Sequence, residues 1–192
     1  MSAVLPILAV VLAIAGYVPY INAILRGRTR PNRASWWIFA ITAGTGAASS
    51  WAAGARGTIG VPVTFAVCCV VVGILAIRRG EGGFGRLDLT CLAVAAAAMA
   101  AWWATGEPLL ATAMLALADL AGTVPTIAKA WRDPAREDGR SWMVWCAANC
   151  CNLAQVRVPN LADLLYPGAL TIASVAVLTA RYRRHLPWGS IA

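Results

Sequence analysis

Charge is scarce in this chain of 192 residues: Asp and Glu together number 8, Lys and Arg 16, and charged residues make up only 12% of the whole. A soluble domain carries about twice that fraction, so a water-facing globule is excluded. Histidine occurs once, as His185 in the C-terminal tail, and no zinc-ligand spacing exists. The six cysteines (Cys68, Cys69, Cys91, Cys146, Cys150, Cys151) all fall within apolar runs, a placement that implies no secreted-type disulfide framework. Cys146 and Cys150 share a helix face and read as small packing residues. The first apolar run has no Lys or Arg before it and no clear cleavage site, so it reads as a retained helix and not as a signal peptide.

What the chain has instead is apolar length. Hydrophobic residues make up 60%, in runs near the twenty residues needed to cross a hydrocarbon core of roughly 30 Å. The runs predict spans over 3–25, 35–53, 58–77, 87–103, 109–131, 141–156 and 161–180. Basic residues then fall almost entirely on one side. Arg26, Arg28, Arg30 and Arg33; Arg78, Arg79 and Arg86; Lys129, Arg132, Arg136 and Arg140; and Arg181, Arg183 and Arg184 stand against only Arg56 and Arg157. That bias follows the positive-inside rule. It predicts a multi-pass protein of the plasma (inner) membrane, with its N-terminus outside and its C-terminus cytoplasmic. The net charge of +8 is thereby assigned to topology and to contact with the lipid bilayer, not to nucleic acid.

The two halves also repeat. At an offset of 106 residues Ala15-Gly16 matches Ala121-Gly122, Val18-Pro19 matches Val124-Pro125 and Ile21 matches Ile127. Arg26 matches Arg132, and Ser35-Trp36 matches Ser141-Trp142. The predicted fold class is therefore all-α and integral to the membrane: seven transmembrane helices as two parallel three-helix repeats joined by a linker helix. The units are 1–80, 81–106 (linker) and 107–192. Pro19 and Pro125 each remove a backbone hydrogen bond near the basic end of a span and are candidate hinges. Ser35 and Ser141, each before a Trp, suit N-caps followed by interfacial aromatics.

This layout, with a helix-borne proline before a basic loop in each half, resembles the PQ-loop and SWEET superfamily. The name-giving Pro-Gln pair is replaced by Pro19-Tyr20 and Pro125-Thr126. The chain is also similar to the small seven-span terpene cyclases of meroterpenoid pathways, through Tyr20-Ile21, the basic first loop and the aromatic-rich spans. The acid that the fungal cyclases carry in their second span has no counterpart, since Ser49, Ser50 and Trp51 stand in that neighbourhood. The first resemblance implies a transporter of small solutes, the second an enzyme acting on prenylated substrates.

Seven of the acids (Glu81, Asp88, Glu107, Asp133, Glu137, Asp138 and Asp163) sit in loops or at span ends, and Asp119 alone falls mid-span. A charged Asp at that depth costs about 2.5–3.5 kcal/mol on insertion scales. Its repeat equivalent is Ala13, so the halves differ chemically there. Trp142, Trp145, Asn149 and Asn152 recur at spacings of three and four and share one helix face, continued approximately by Gln155. The matching face of the second span, Trp36, Phe39, Ala43 and Gly46, is almost apolar. Lipid cannot satisfy two amides, so the Asn face is expected to point into the bundle.

One reading makes it interhelical glue, with Asp119 bonded to Asn149, Asn152 or Thr123. Another makes it a cavity. Trp145 is the inner tryptophan, while Trp36, Trp37, Trp131, Trp142 and Trp188 suit one interfacial belt and Trp51, Trp102 and Trp103 the other. Gly44 with Ala48, and Gly46 with Ser50, suit close helix packing.

Two functions fit this chemistry. In an integral-membrane terpene cyclase, Asp119 is the catalytic acid that protonates a hydrophobic prenylated small molecule. Trp142, Trp145, Asn149, Asn152, Gln155, Tyr20 and Thr123 line its site, and no metal or other cofactor is needed. In a transporter, Asp119 and the two Asn residues bind a small solute or a proton, and the halves rock about the prolines.

Overall fold

The computed structural model describes residues 4–52, 60–105, 108–154 and 161–183. Gln155, Arg56, Glu107, Arg157, Arg184, His185 and Trp188 lie outside the described residues. The described chain is helical: α1 (Val4–Ala15), α2 (Tyr17–Leu25), α3 (Arg33–Ala52), α4 (Gly60–Arg79), α5 (Arg86–Thr105), α6 (Pro108–Arg132), a 3₁₀ turn (Pro134–Arg136), α7 (Gly139–Leu153) and α8 (Leu161–Tyr182). Among the described residues there is no strand, only one bridge between Asn32 and Glu81. Among the described residues four helical stretches are long and apolar enough to cross a membrane: Ile7–Leu25, Arg86–Thr105, Thr112–Arg132 and Leu164–Tyr182. Large aliphatic side chains such as Val11, Ile41, Val67, Ile74, Leu117 and Ile172 lie exposed along the helices. An apolar exterior of this kind is uncommon on a soluble monomer.

The helix starts correct one expectation. Ser35 and Ser141 are not the N-caps. Asn32 Oδ1 accepts from Ser35 N at 3.0 Å, and Asp138 Oδ2 accepts from Ser141 N at 3.0 Å. The caps are thus one turn earlier, and the serines bring the third amide that a cap side chain can satisfy. The loop before α5 is also tied down from its first carboxylate. Asp88 accepts from Asn32 Nδ2 (3.0 Å), Gly83 N (2.7 Å) and Gly85 N (3.1 Å). Gly83 has φ +100°, and a Cβ there would lie 2.7 Å from that of Arg33, so glycine is required on both counts.

Neither proline ends its rod. α1 passes into α2 at Gly16, three residues before Pro19, through helical φ/ψ and with the Gly16 N–H still donating to Leu12 O at 3.0 Å. α6 likewise runs through Pro125. Glycine packing also falls elsewhere than expected. A Cβ on Gly44 would meet nothing within 4 Å, so Gly44 is not a close-packing contact, and the Ser50 side chain expected beside Gly46 lies outside the described residues. Among the glycines crowded by side chains of other helices are Gly16, covered by the Trp145 indole, and Gly122, covered by Ile38 and Phe39.

These contacts set the assembly: α1 and α2 lie on α7, α6 lies on α3, α5 and α8, α3 lies on α4, and α7 lies on α8. Small side chains, among them Cys91, Ala95, Ala98 and Ala118, bring α5 close to α6. At the end of the bundle that carries the basic loops, Lys129 and Glu137 form a buried ion pair. Lys129 Nζ also donates to Arg30 O (2.7 Å), and Trp142 Nε1 donates to Glu137 Oε1 (2.7 Å). The Arg30 amide donates to Arg136 O at 3.2 Å, and Thr126 Oγ1 donates to Ser35 Oγ at 2.8 Å. This layer closes one end of the interior.

Candidate functional site

Asp119 sits in the middle of α6 and is 5% exposed. A carboxyl in such surroundings needs partners, and it has two. Thr42 Oγ1, from α3, donates to Oδ1 at 2.6 Å, and Tyr166 OH, from α8, donates to Oδ2 at 2.7 Å. Neither donor is among the groups expected from the sequence. Thr123 Oγ1 instead donates to the main-chain oxygen of Asp119 (2.8 Å), and Asn149 Nδ2 donates to Ser174 Oγ (3.3 Å). A typical buried hydrogen bond is worth about 0.5–1.5 kcal/mol net, and two from different helices hold the Asp119 side chain in one orientation.

Beside this carboxyl lies a cavity of about 410 Å³, within the range of small-molecule sites. Asp119, Thr123, Trp142, Trp145, Asn149 and Asn152 all line it, so the acid and the polar face of α7 meet in one space. Most of the remaining wall is apolar or aromatic, with Tyr17, Trp36, Phe39, Phe65, Leu115, Cys69 and Leu170 contributing. Tyr20 is fully buried one layer behind and does not line the cavity; its hydroxyl accepts from Trp36 Nε1 at 3.1 Å. Pro19 lines a different pocket, Pro125 is buried within α6, and Gln155 is outside the described residues.

Trp145 is the hub of the aromatic wall. Its ring centroid lies 5.1 Å from Tyr17, 5.4 Å from Tyr20, 6.0 Å from Trp36 and 5.3 Å from Trp142. Offset and edge contacts at these distances add about 0.5–1.5 kcal/mol beyond area burial. Its Nε1 donates to Ala13 O at 2.9 Å, and absence of a side chain on Gly16 makes room for the indole. Trp36 and Trp142 were expected in an interfacial belt. At 2% and 6% exposure they are interior walls instead, because their helices turn those faces onto α2 and the Glu137 layer. Trp103 and Trp131, at 87% and 55%, are exposed.

The cavity-lining residues that sequence reasoning missed include Thr42, Tyr166, Tyr17, Phe65, Cys69 and Ser174. One signal was available for Tyr166: a hydroxyl within an otherwise apolar α8 run needs a partner. Among the described residues no group of three or more His, Cys, Asp or Glu stands together as a metal site. Searches of known families, curated proteins and solved structures find no match to this chain.

Proposed function

We propose that this chain is an integral-membrane terpene cyclase, which folds a prenylated substrate into the aromatic cavity and starts its cyclisation by proton transfer from Asp119. The observation that carries the reading is one carboxyl, held by two hydroxyls, in the wall of an otherwise apolar and aromatic cavity. Thr42 has a single hydroxyl proton, and its oxygen lies both 2.6 Å from Asp119 Oδ1 and 3.1 Å from Phe39 O. A neutral Asp119 donating to Thr42 Oγ1, with Thr42 donating to Phe39 O, satisfies all three oxygens.

In the reaction the Asp119 proton passes to a terminal epoxide oxygen or alkene carbon of the substrate. The epoxide C–O bond or alkene π bond breaks, and the electrons of a neighbouring alkene close the new C–C bond. Tyr166, which already donates to Oδ2, and Thr42 then stabilise the carboxylate left behind, a contribution that grows as charge develops. The faces of Trp36, Trp142 and Trp145 stabilise the carbocation, and the apolar wall keeps water from quenching it. Loss of a proton to the carboxylate ends the sequence and restores the acid. Substrate and product are isomers.

The same proposal includes seven spans in two parallel repeats, with the basic loops cytoplasmic. Support comes from contacts that recur at the offset of 106. Asn32 caps Ser35 as Asp138 caps Ser141. Gly16 lies against Trp145 as Gly122 lies against Phe39, its equivalent. Arg30 bonds to Arg136, its own equivalent, as residues near a two-fold axis do.

A second reading, a SWEET-like transporter of a small solute, draws on that two-fold arrangement, because α1 and α2 lie on α7 while α6 lies on α3, the geometry of two halves that rock. The experiment that separates them incubates the detergent-purified protein with a panel of prenylated aromatics and their terminal epoxides. Cyclisation yields products of unchanged mass and altered retention, and Asp119→Asn lowers turnover by about 10²–10⁴-fold. Solute uptake into proteoliposomes with every panel member returned unchanged would overturn the enzyme.

A further inference from the structure

A second pocket, of about 280 Å³, opens among the basic loops, between the end of α2, the start of α7 and the end of α8. Arg28, Arg140 and Arg181 line it, together with Glu137, Asp138 and Tyr182. The two carboxylates are already committed. Glu137 pairs with Lys129 and accepts from Trp142, and Asp138 caps α7 through Ser141. The three arginines are not balanced in the same way. Among the described residues none of them forms an ion pair with a carboxylate. Arg181 is oriented from behind by its own Nε–H, which donates to Glu137 O at 2.8 Å. Cationic side chains gathered in one concave pocket with the neighbouring acids engaged elsewhere make a receptor for an anion. Planar guanidinium groups favour the oxygens of a phosphate.

We propose that this pocket binds one phosphate group, carried by an anionic lipid headgroup or by a free phosphate. Its position at the end of the helices, beside apolar outer faces, suits a headgroup whose acyl chains lie along the bundle. The site is single per chain. At the offset of 106, the equivalents of Arg28, Arg140 and Arg181 are Pro134, Ala34 and Leu75, so the repeat does not reproduce the cluster. The proposal does not depend on the reaction assigned to Asp119.

The test titrates the purified full-length protein in a neutral detergent with dihexanoyl phosphatidylglycerol, dihexanoyl phosphatidylcholine, inorganic phosphate and pyrophosphate. Binding is read by native mass spectrometry and by the shift in thermal midpoint. The expected result is one bound phosphatidylglycerol per chain, weakened about a hundred-fold in Arg28→Gln/Arg140→Gln, since each lost charge-assisted bond is worth about ten-fold. Arg28 and Arg140 are exposed, so the variant's midpoint without ligand should match the parent. Arg78→Gln/Arg86→Gln removes the same charge away from the pocket and should leave binding unchanged. Competition by inorganic phosphate or pyrophosphate at similar concentration assigns a free phosphate, and its absence assigns the headgroup. Equal weakening in both double variants, equal binding of phosphatidylcholine, or no binding of any phosphate probe would overturn the proposal.

Discussion

Replacing Gly16 by Ala tests the link between the α1–α2 junction and the cavity wall. Gly16 has φ −60° and ψ −26°, so alanine fits the backbone and should gain up to about 1 kcal/mol from helix propensity and lost chain entropy. Its Cβ, however, would lie 2.6 Å from Trp145 Cδ1 and still nearer the indole nitrogen. The ring must move, and Trp145 is hemmed in by Tyr17, Tyr20 and Trp142. Overpacking of this kind costs about 1–3 kcal/mol, and losing the 2.9 Å bond to Ala13 O costs about 0.5–1.5 kcal/mol more. The expected net effect is a destabilisation of about 0.5–4.5 kcal/mol, with Trp145 displaced toward the cavity. Gly44→Ala is the control. Nothing lies within 4 Å of the added methyl, so it should gain about 1 kcal/mol. Thermal unfolding in detergent, followed by tryptophan emission, should place Gly16→Ala several degrees below Gly44→Ala. Coincident midpoints would refute the packing argument.

Two further outcomes are expected. Lys129→Met leaves the Glu137 carboxylate buried without its cation and should cost about 3–5 kcal/mol, whereas Lys129→Met/Glu137→Gln keeps an acceptor for Trp142 and should recover most of the loss in midpoint. A single variant as stable as the parent would show that the pair is not buried in the protein as it folds. Reporter fusions joined after Arg30, Arg79 and Arg136 should read cytoplasmic and those after Arg56 and Arg157 external, as the charge bias requires. An external reading after Arg136 would overturn the proposed seven-span topology.

Much of the site was legible before the structure. Asp119 stands out because a lone acid in a long apolar run has no solvent to meet. Trp142, Trp145, Asn149 and Asn152 group together because helical spacing alone puts them on one face, and they do line the cavity with Asp119. The caps were open to misreading because Asn, Asp and Ser are near-equal N-cap residues, and both Asn32 and Asp138 lie three positions before a serine. Thr42 and Tyr166 were illegible as partners of Asp119. They come from α3 and α8, 77 and 47 residues away, and no local pattern says which helices touch.

The linear sequence by itself determined the run lengths, the charge asymmetry, the offset between the halves and the faces that each helix presents. These are local or additive properties, set by side-chain chemistry and by the 3.6-residue period. Tertiary structure alone decided which faces meet: that Gly16 admits the Trp145 ring, that Trp36 and Trp142 are inner walls and not a belt, and that two hydroxyls hold Asp119. Those outcomes depend on shape complementarity between segments far apart in the chain, where a single missing Cβ selects one packing over another.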